Sequence, residues 1–120
     1  MEENTLKYKT YQFSLSVVKL LEIMPRNYIY QTLGKQLLRA GTSIGANIIE
    51  AQAGRTRRDF INYYHIALKS ANETKYWLSM MEDLLKVEPK AHVGRLLINV
   101  IEISKMLTAS LITLKGKRNY

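Results

Sequence analysis

Apolar positions along the chain recur in alternating steps of three and four residues, and breaks at three places divide this pattern into four segments. Steps of this kind put side chains on one face of an α-helix. Pro25 and Pro89 mark two of the breaks, because proline lacks the backbone donor and disfavours helix at the residue before it. The pattern predicts four helices, at about residues 5–24, 29–53, 57–87 and 90–115.

The third break, between the second and third helices, contains residues that favour helix ends. Gly54 suits the position after a helix, and Thr56 suits the N-cap of the next one, with Asp59 near its positive end. No segment alternates with a period of two, so we expect no strands. Four amphipathic helices with short connections predict an all-α fold, an antiparallel up-down-up-down four-helix bundle that forms one domain over residues 1–120.

The last two helices have more apolar positions than one buried seam requires. The third carries a second stripe that includes Tyr63, Ile66, Trp77 and Met80. The fourth adds five apolar residues beside its seam: Leu96, Ile98, Ile101, Ile103 and Ile112. A helix that is apolar over much of its circumference is buried on more than one side. We therefore expect the extra apolar surface to contact another subunit in a homo-oligomer.

The second helix combines small and polar residues in a regular arrangement. Gly41 and Gly45 stand four apart, a spacing that favours close packing against another helix over a ligand notch. A polar stripe runs along the same helix and has counterparts in the third helix: Gln36, Arg39, Ser43, Asn47 and Glu50, with Ser70 and Glu73. Two interpretations stay open, a solvated face and a hydrogen-bonded layer that sets helix register or subunit pairing.

The composition indicates a basic intracellular protein. The net charge is +8, and the pI is near 9.8, which favours acidic partners such as nucleic acid. Cysteine is absent, which excludes disulfides and thiolate chemistry and suits a reducing cytoplasm. The acidic first residues do not resemble a signal peptide. Charged and polar residues interrupt the apolar segment 96–114, so we expect no membrane span.

The basic residues form two clusters that the predicted topology brings together. The second and fourth helices of an up-down-up-down bundle end at the same pole, and these ends carry Arg55, Arg57, Arg58, Lys115, Lys117 and Arg118. This pole is the candidate nucleic-acid-binding surface, through contacts to phosphates. We expect Lys7 and Lys9 to lie away from it. The alternative is that the charge serves solubility and complements helix ends.

Catalytic chemistry finds little support in the sequence. The two histidines, His65 and His92, fall on different helices and form no metal-binding pair. No phosphate-binding loop motif occurs, and we expect neither a metal nor another cofactor. The tyrosines, among them Tyr63 and Tyr64, suit either stacking on bases or packing in the core and at interfaces, with packing preferred.

Two runs of residues resemble a known family. Residues 36–50, with Gln36-Leu37-Leu38-Arg39-Ala40 and Ser43-Ile44-Gly45-Ala46-Asn47, resemble the second-helix signature of bacterial four-helix bundle proteins first noticed in intervening sequences of large-subunit ribosomal RNA genes. Residues 57–73, with Arg57-Arg58-Asp59-Phe60, Ser70 and Glu73, resemble the third-helix signature. Ala51 and Lys69 depart from the pattern, since glycine is usual at both positions.

The resemblance implies a ring-shaped homo-oligomer, commonly a homopentamer. Related accessory variability determinant proteins of diversity-generating retroelements form such rings and bind nucleic acid and a reverse transcriptase. We therefore expect a non-enzymatic adaptor that binds RNA or DNA through phosphates. The alternative is a scaffold that binds proteins and makes no contact with nucleic acid.

Overall fold

The structure, a computed structural model, describes residues 5–117 of the chain, apart from the side chain of Lys117. It contains four helices, α1 (Leu6–Glu22), α2 (Tyr28–Ala53), α3 (Arg57–Leu84) and α4 (Lys90–Lys117), and residues 5–117 include no strand. The prediction of an all-α bundle is confirmed. Two helices end earlier than the apolar pattern indicates, α1 at residue 22 and α3 at residue 84.

Side-chain caps explain where three of the helices begin. The hydroxyl of Thr5 accepts from the backbone N–H of Tyr8 at 3.1 Å. The carboxamide oxygen of Asn27 accepts from the N–H of Tyr30 at 3.0 Å in the same way. Each cap supplies an acceptor to a helix N–H that has no partner within the helix. At the other end of α3, Leu85 has extended backbone angles (φ −75°, ψ 135°), which stop the helix.

The four helices form a square in which helices consecutive in sequence are neighbours and α1 also lies beside α4; the backbones of the diagonal pairs are farther apart, with no Cα atoms within 8 Å of each other. Contacts show that neighbours are antiparallel, because Gly34 of α2 faces Leu21 of α1 and Gly45 faces Thr10. The bundle measures 52 × 24 × 20 Å. Its long axis therefore has two poles, one with the α2–α3 connection and the other with the α1–α2 and α3–α4 connections.

The core follows the predicted helical seams. Its fully buried side chains come from all four helices: Val17, Leu20, Leu37, Ile44, Ile48, Leu78, Met81, Val93, Val100 and Leu107. Burial of one such aliphatic side chain stabilises the fold by about 1.5–3 kcal/mol relative to exposure. The bundle thus fills one continuous core from a single chain.

Helix α4 differs from the expectation in two respects. Leu96 and Ile103, placed in an outer stripe by the sequence, are both only 2% exposed and belong to the core, whereas Ile98 and Ile112 are 68% exposed. The bundle thus buries more of the surface of α4 than a single seam. Fewer apolar residues of α4 remain on the outside than the sequence predicts. In addition, residues 90–116 are long and apolar enough to cross a membrane by length and composition alone, a test that core helices of soluble proteins also pass.

Candidate nucleic-acid interface

The pole at the α2–α3 connection gathers cations from three parts of the chain. Arg55, Arg57 and Arg58 lie on this connection and on the first turn of α3, and all three are exposed. Lys115, also exposed, lies in the last turn of α4. We call these four residues the basic pole. The two remaining predicted members are not described there: the side chain of Lys117 and the whole of Arg118 lie outside the described residues.

Local structure holds the arginines on a short connection. Helix α2 ends at Gly54, whose N–H donates to the carbonyl of Ala51 at 3.2 Å. Two residues later Thr56 caps α3, and its hydroxyl accepts from the N–H of Asp59 at 3.0 Å. The predicted N-cap is confirmed, whereas Gly54 adopts an extended conformation (φ −67°, ψ 150°) and not the left-handed one usual for a glycine after a helix.

Lys7 and Lys9 lie at this same pole, so the expectation that they lie away from it was wrong. In an up-down-up-down bundle the first helix begins where the second one ends, and Lys7 lines a groove together with Gln52 of α2 and Tyr64 of α3. Lys7 adds a cation to the surroundings of the basic pole. The Nζ of Lys9 instead lies 3.1 Å from a carboxylate oxygen of Glu102, which offsets its charge.

Two aromatic rings lie beside the basic pole, between α3 and α4. The rings of Phe60 and Tyr64 stack with their centroids 4.5 Å apart and an angle of 25° between their planes. Tyr64 is 7% exposed, and burial raises the pKa of its hydroxyl, so the ring carries no charge at neutral pH. Phe60 is only half-buried. Both rings line an open groove whose α4 side includes Thr113 and Leu114.

The polar stripe of α2 faces α3, and its central part forms hydrogen bonds across the two helices. The hydroxyl of Ser70 donates to the hydroxyl oxygen of Ser43 at 2.9 Å. The carboxamide of Asn47 donates to the same oxygen at 3.0 Å and to the carbonyl of Ser43 at 2.8 Å. All three side chains are half-buried. The arrangement is that of the hydrogen-bonded layer, and it links helices within one subunit.

The polar stripe extends along α2 away from the basic pole, and there it forms an ion pair with α3 at the surface. Arg39 donates to the carboxylate of Glu73 and, at 3.0 Å, to the carboxamide oxygen of Gln36. The indole N–H of Trp77 donates to Glu73 at 3.0 Å. The hydrogen bond from this indole is the largest cause that holds the pKa of Glu73 below its usual value; burial opposes it, and the hydrogen bond and charge of Arg39 lower the pKa further.

Two features of this contact depart from the sequence prediction. Trp77 was assigned only to an apolar stripe, because the sequence does not indicate which way its N–H points. Glu50, predicted as part of the stripe, is exposed and makes no side-chain hydrogen bond or ion pair within residues 5–117. The solvated interpretation therefore holds for Glu50, whereas Arg39 is exposed but paired with Glu73.

The opposite side of α2 packs closely against α1. A Cβ atom added at Gly41 would come within 3.1 Å of Val17, and one at Gly45 within 3.3 Å of the backbone carbonyl oxygen of Thr10. Gly34 makes a third approach of this kind, 3.1 Å from Leu21, which the sequence analysis missed. These positions are consistent with the predicted role of Gly41 and Gly45 in close helix packing.

Within the described part of the chain, no group of three or more histidine, aspartate or glutamate side chains could hold a metal ion. The surface that stands out chemically is therefore the basic pole with its neighbouring aromatic groove. It offers guanidinium and ammonium groups to an anion and one partly exposed ring to a planar ligand.

Comparison with known proteins agrees with this architecture. The family model described as "23S rRNA-intervening sequence protein" matches residues 2–109. A solved structure from Bacteroides thetaiotaomicron, described as a protein with unknown function from the S23 ribosomal protein family, is 35% identical, covers 89% of this chain and 98% of its own, and superposes with a TM-score of 0.79. None of the curated proteins matches. The chain belongs to the 23S rRNA-intervening sequence protein family.

Proposed function

We propose that this protein is a non-enzymatic, homo-oligomeric adaptor that binds RNA or DNA mainly through phosphates at the basic pole. The observation that supports this proposal is the meeting of Arg55, Arg57 and Arg58 with Lys115 at one end of the bundle, with Lys7 close by. Only Asp59 and the more distant Glu50 bring negative charge to this end of α2 and α3. Helix-end chemistry accounts for Arg55, which follows the C-terminus of α2, but not for Arg57 and Arg58, because cations in the first turn of α3 oppose its dipole.

Phosphate contacts explain why a simple pole could serve as the binding surface. Arginine presents several N–H donors in a planar fork that matches phosphate oxygens. Exposed arginines on a short connection reach a polyanion without rearrangement of the bundle. Contacts of this type position a nucleic acid and carry little sequence information, so we expect little discrimination among sequences.

The oligomeric part of the proposal rests on exposed apolar side chains. Ile98 and Ile112 on α4 are each 68% exposed, and Tyr11 on α1 is 55% exposed. Side chains of this size on a bundle that already has a complete core favour contact with further copies of the chain. A ring of five subunits would repeat the basic pole around one face. Light scattering should give a mass several times 13.9 kDa; a mass equal to 13.9 kDa would contradict the oligomer.

The binding test is a charge reversal with a matched control. We expect the variant with Arg55, Arg57 and Arg58 all changed to glutamate to lose binding to a mixed-sequence single strand, as measured by fluorescence anisotropy. The parent's affinity should fall with salt, with a slope of about −0.7 per neutralised phosphate on single strands. The control changes three exposed cations of the other pole, Lys86, Lys90 and Arg95, to glutamate.

The control alters the net charge by the same amount as the triple arginine variant, and it should retain most of the affinity. Circular dichroism and light scattering should show that both variants keep their helices and their mass. Equal loss in the two variants would point to overall charge and not to the basic pole. Absence of salt-sensitive binding by the parent would favour the scaffold that contacts proteins only.

A further inference from the structure

Resting on the proposed function, we infer that the aromatic groove beside the basic pole takes an unpaired base of single-stranded RNA or DNA, which stacks on the ring of Phe60. Stacking of a base on Phe60 would add a contact that the charges of the basic pole do not provide. It makes single strands, in which bases are free to leave the stack, the class of nucleic acid that fits this surface.

The geometry of the two rings leaves one face of Phe60 for a ligand. Tyr64 lies one helical turn further from the pole than Phe60 and covers one face of its ring, with centroids 4.5 Å apart. Tyr64 is buried, whereas Phe60 is half-buried and lines the open groove. Since Tyr64 covers one face of Phe60, the opposite face, which lies towards the basic pole, is the one left for a stacked base.

Exposed basic residues lie close in sequence to groove-lining residues on both helices. Arg57 lies three residues before Phe60 on α3, and residues three apart on a helix are neighbours on its surface. Across the groove, Lys115 follows Leu114, which lines the wall formed by α4. A nucleotide whose base stacks on Phe60 would thus have basic groups beside it for its phosphates. This combination of a basic surface and an aromatic platform is the one used by proteins that bind single strands without sequence preference.

Phe60 also packs against the core, so the packing role and the stacking role must be separated by experiment. The wild-type protein is titrated with a single strand and with an abasic strand of equal length, which has the same phosphates and no bases. Stacking of one base changes affinity by roughly 5- to 140-fold. We expect the normal strand to bind more tightly by a factor in this range.

Variants at Phe60 assign that difference to the ring. Phe60→Leu should bind the abasic strand as the wild type does and should lose the preference for the normal strand. Phe60→Tyr, which keeps the aromatic ring, should retain the preference. Both variants should melt close to the wild-type temperature. If Phe60→Leu does not fold, Phe60→Met, which also lacks the aromatic ring, provides the same comparison.

The outcomes distinguish this inference from the proposed function. Equal affinity of the wild type for normal and abasic strands, with salt-dependent binding of both, would overturn the stacking contact and leave phosphate binding intact. A preference for the normal strand that survives in Phe60→Leu would also overturn it. Absence of binding to either strand would overturn both proposals.

Discussion

Helix α2 contacts its two neighbours by opposite means. Towards α1 it presents glycines, and the helices approach until added Cβ atoms would lie 3.1–3.3 Å from α1 at Gly34, Gly41 and Gly45. Towards α3 it presents polar side chains, and Ser43 is hydrogen-bonded to Ser70 at 2.9 Å. The α1–α2 contact thus requires residues without side chains on α2, whereas the α2–α3 contact requires side chains that form hydrogen bonds.

This difference shows that a single helix can hold two neighbouring helices in place through contacts that do not depend on each other. A close contact tolerates no added volume, because the atoms around it are packed and relax only partly. A polar contact tolerates changes of shape better, but it requires a partner for each buried donor and acceptor. Substitutions on the two sides of α2 should therefore destabilise the bundle for different reasons and by different amounts.

The largest effect is expected on the side of α1. Gly45→Leu should destabilise the bundle by about 1–3 kcal/mol or more, because the new side chain meets the Thr10 backbone, whose carbonyl oxygen and carbon lie 3.3 and 3.4 Å from an added Cβ. The gain in helix propensity, about 1 kcal/mol at most, offsets only part of this cost. Urea unfolding followed by circular dichroism measures the change.

Gly116→Leu is the matched control for this substitution. Among the described residues, no atom outside the backbone of α4 lies within 4 Å of a Cβ added at Gly116, so the same change should leave stability equal or slightly higher. Equal unfolding midpoints for Gly45→Leu and the wild type would show that α1 and α2 can separate without cost. In that case the two sides of α2 would not differ as the structure indicates.

A smaller effect is expected on the side of α3. Ser43→Ala removes the oxygen that accepts from both Ser70 and Asn47, and we expect a loss of about 0.5–1.5 kcal/mol, as is typical for hydrogen bonds that water can partly replace. A double-mutant cycle with Ser70→Ala isolates the bond between the two helices.

Ser104→Ala provides the contrast for Ser43→Ala. The hydroxyl of Ser104 is buried and has no hydrogen-bond partner in the described part of the chain. Its removal should therefore leave stability unchanged or raise it. If the two alanine variants lost the same free energy, the partners of Ser43 would contribute nothing, and the polar layer would not hold α3.

The smallest effect is expected at the surface ion pair. The folded-state pKa of Glu73 lies below its ordinary value of 4.5, so its contribution is present above that pH and is lost as the pH falls through the lower, folded-state pKa. The side chain is 37% exposed, and solvent screening limits the effect to about a few tenths of a kcal/mol.

Glu73→Gln, which cannot ionise, isolates this dependence. The difference in free energy of unfolding between the wild type and Glu73→Gln should shrink as the pH is lowered below about 4.5. Denaturant melts over a series of pH values measure it. A difference that stays constant with pH would mean that the charge of Glu73 does not stabilise the α2–α3 contact.

The four-helix fold could be predicted from the sequence because the spacing of apolar residues indicates which face of each helix is buried. The sequence also indicated that Gly41 and Gly45 lie in a close contact, yet it could not say against which helix, since periodicity carries no information about the neighbour. The position of Lys7 follows from the topology itself, because in an up-down-up-down bundle the first helix begins at the pole where the second one ends.

The candidate site was only partly predictable for a related reason. The arginines of the basic pole are evident as a cluster in sequence, and topology joins Lys115 to them. Phe60 belongs to a seam of the third helix, and a seam position predicts burial. Its partial exposure reflects how α4 packs beside the start of α3, a three-dimensional relation that no local pattern contains.

The meeting of the first and last described residues, 5 and 117, at the basic pole affects how the protein should be handled. A purification tag or fluorescent protein joined directly before residue 5 or after residue 117 would stand at the surface proposed to bind nucleic acid. The chain contains no cysteine, so a single cysteine introduced at Val87, 74% exposed at the far pole, would be a unique attachment point. Immobilisation through that thiol would present the basic pole to solution.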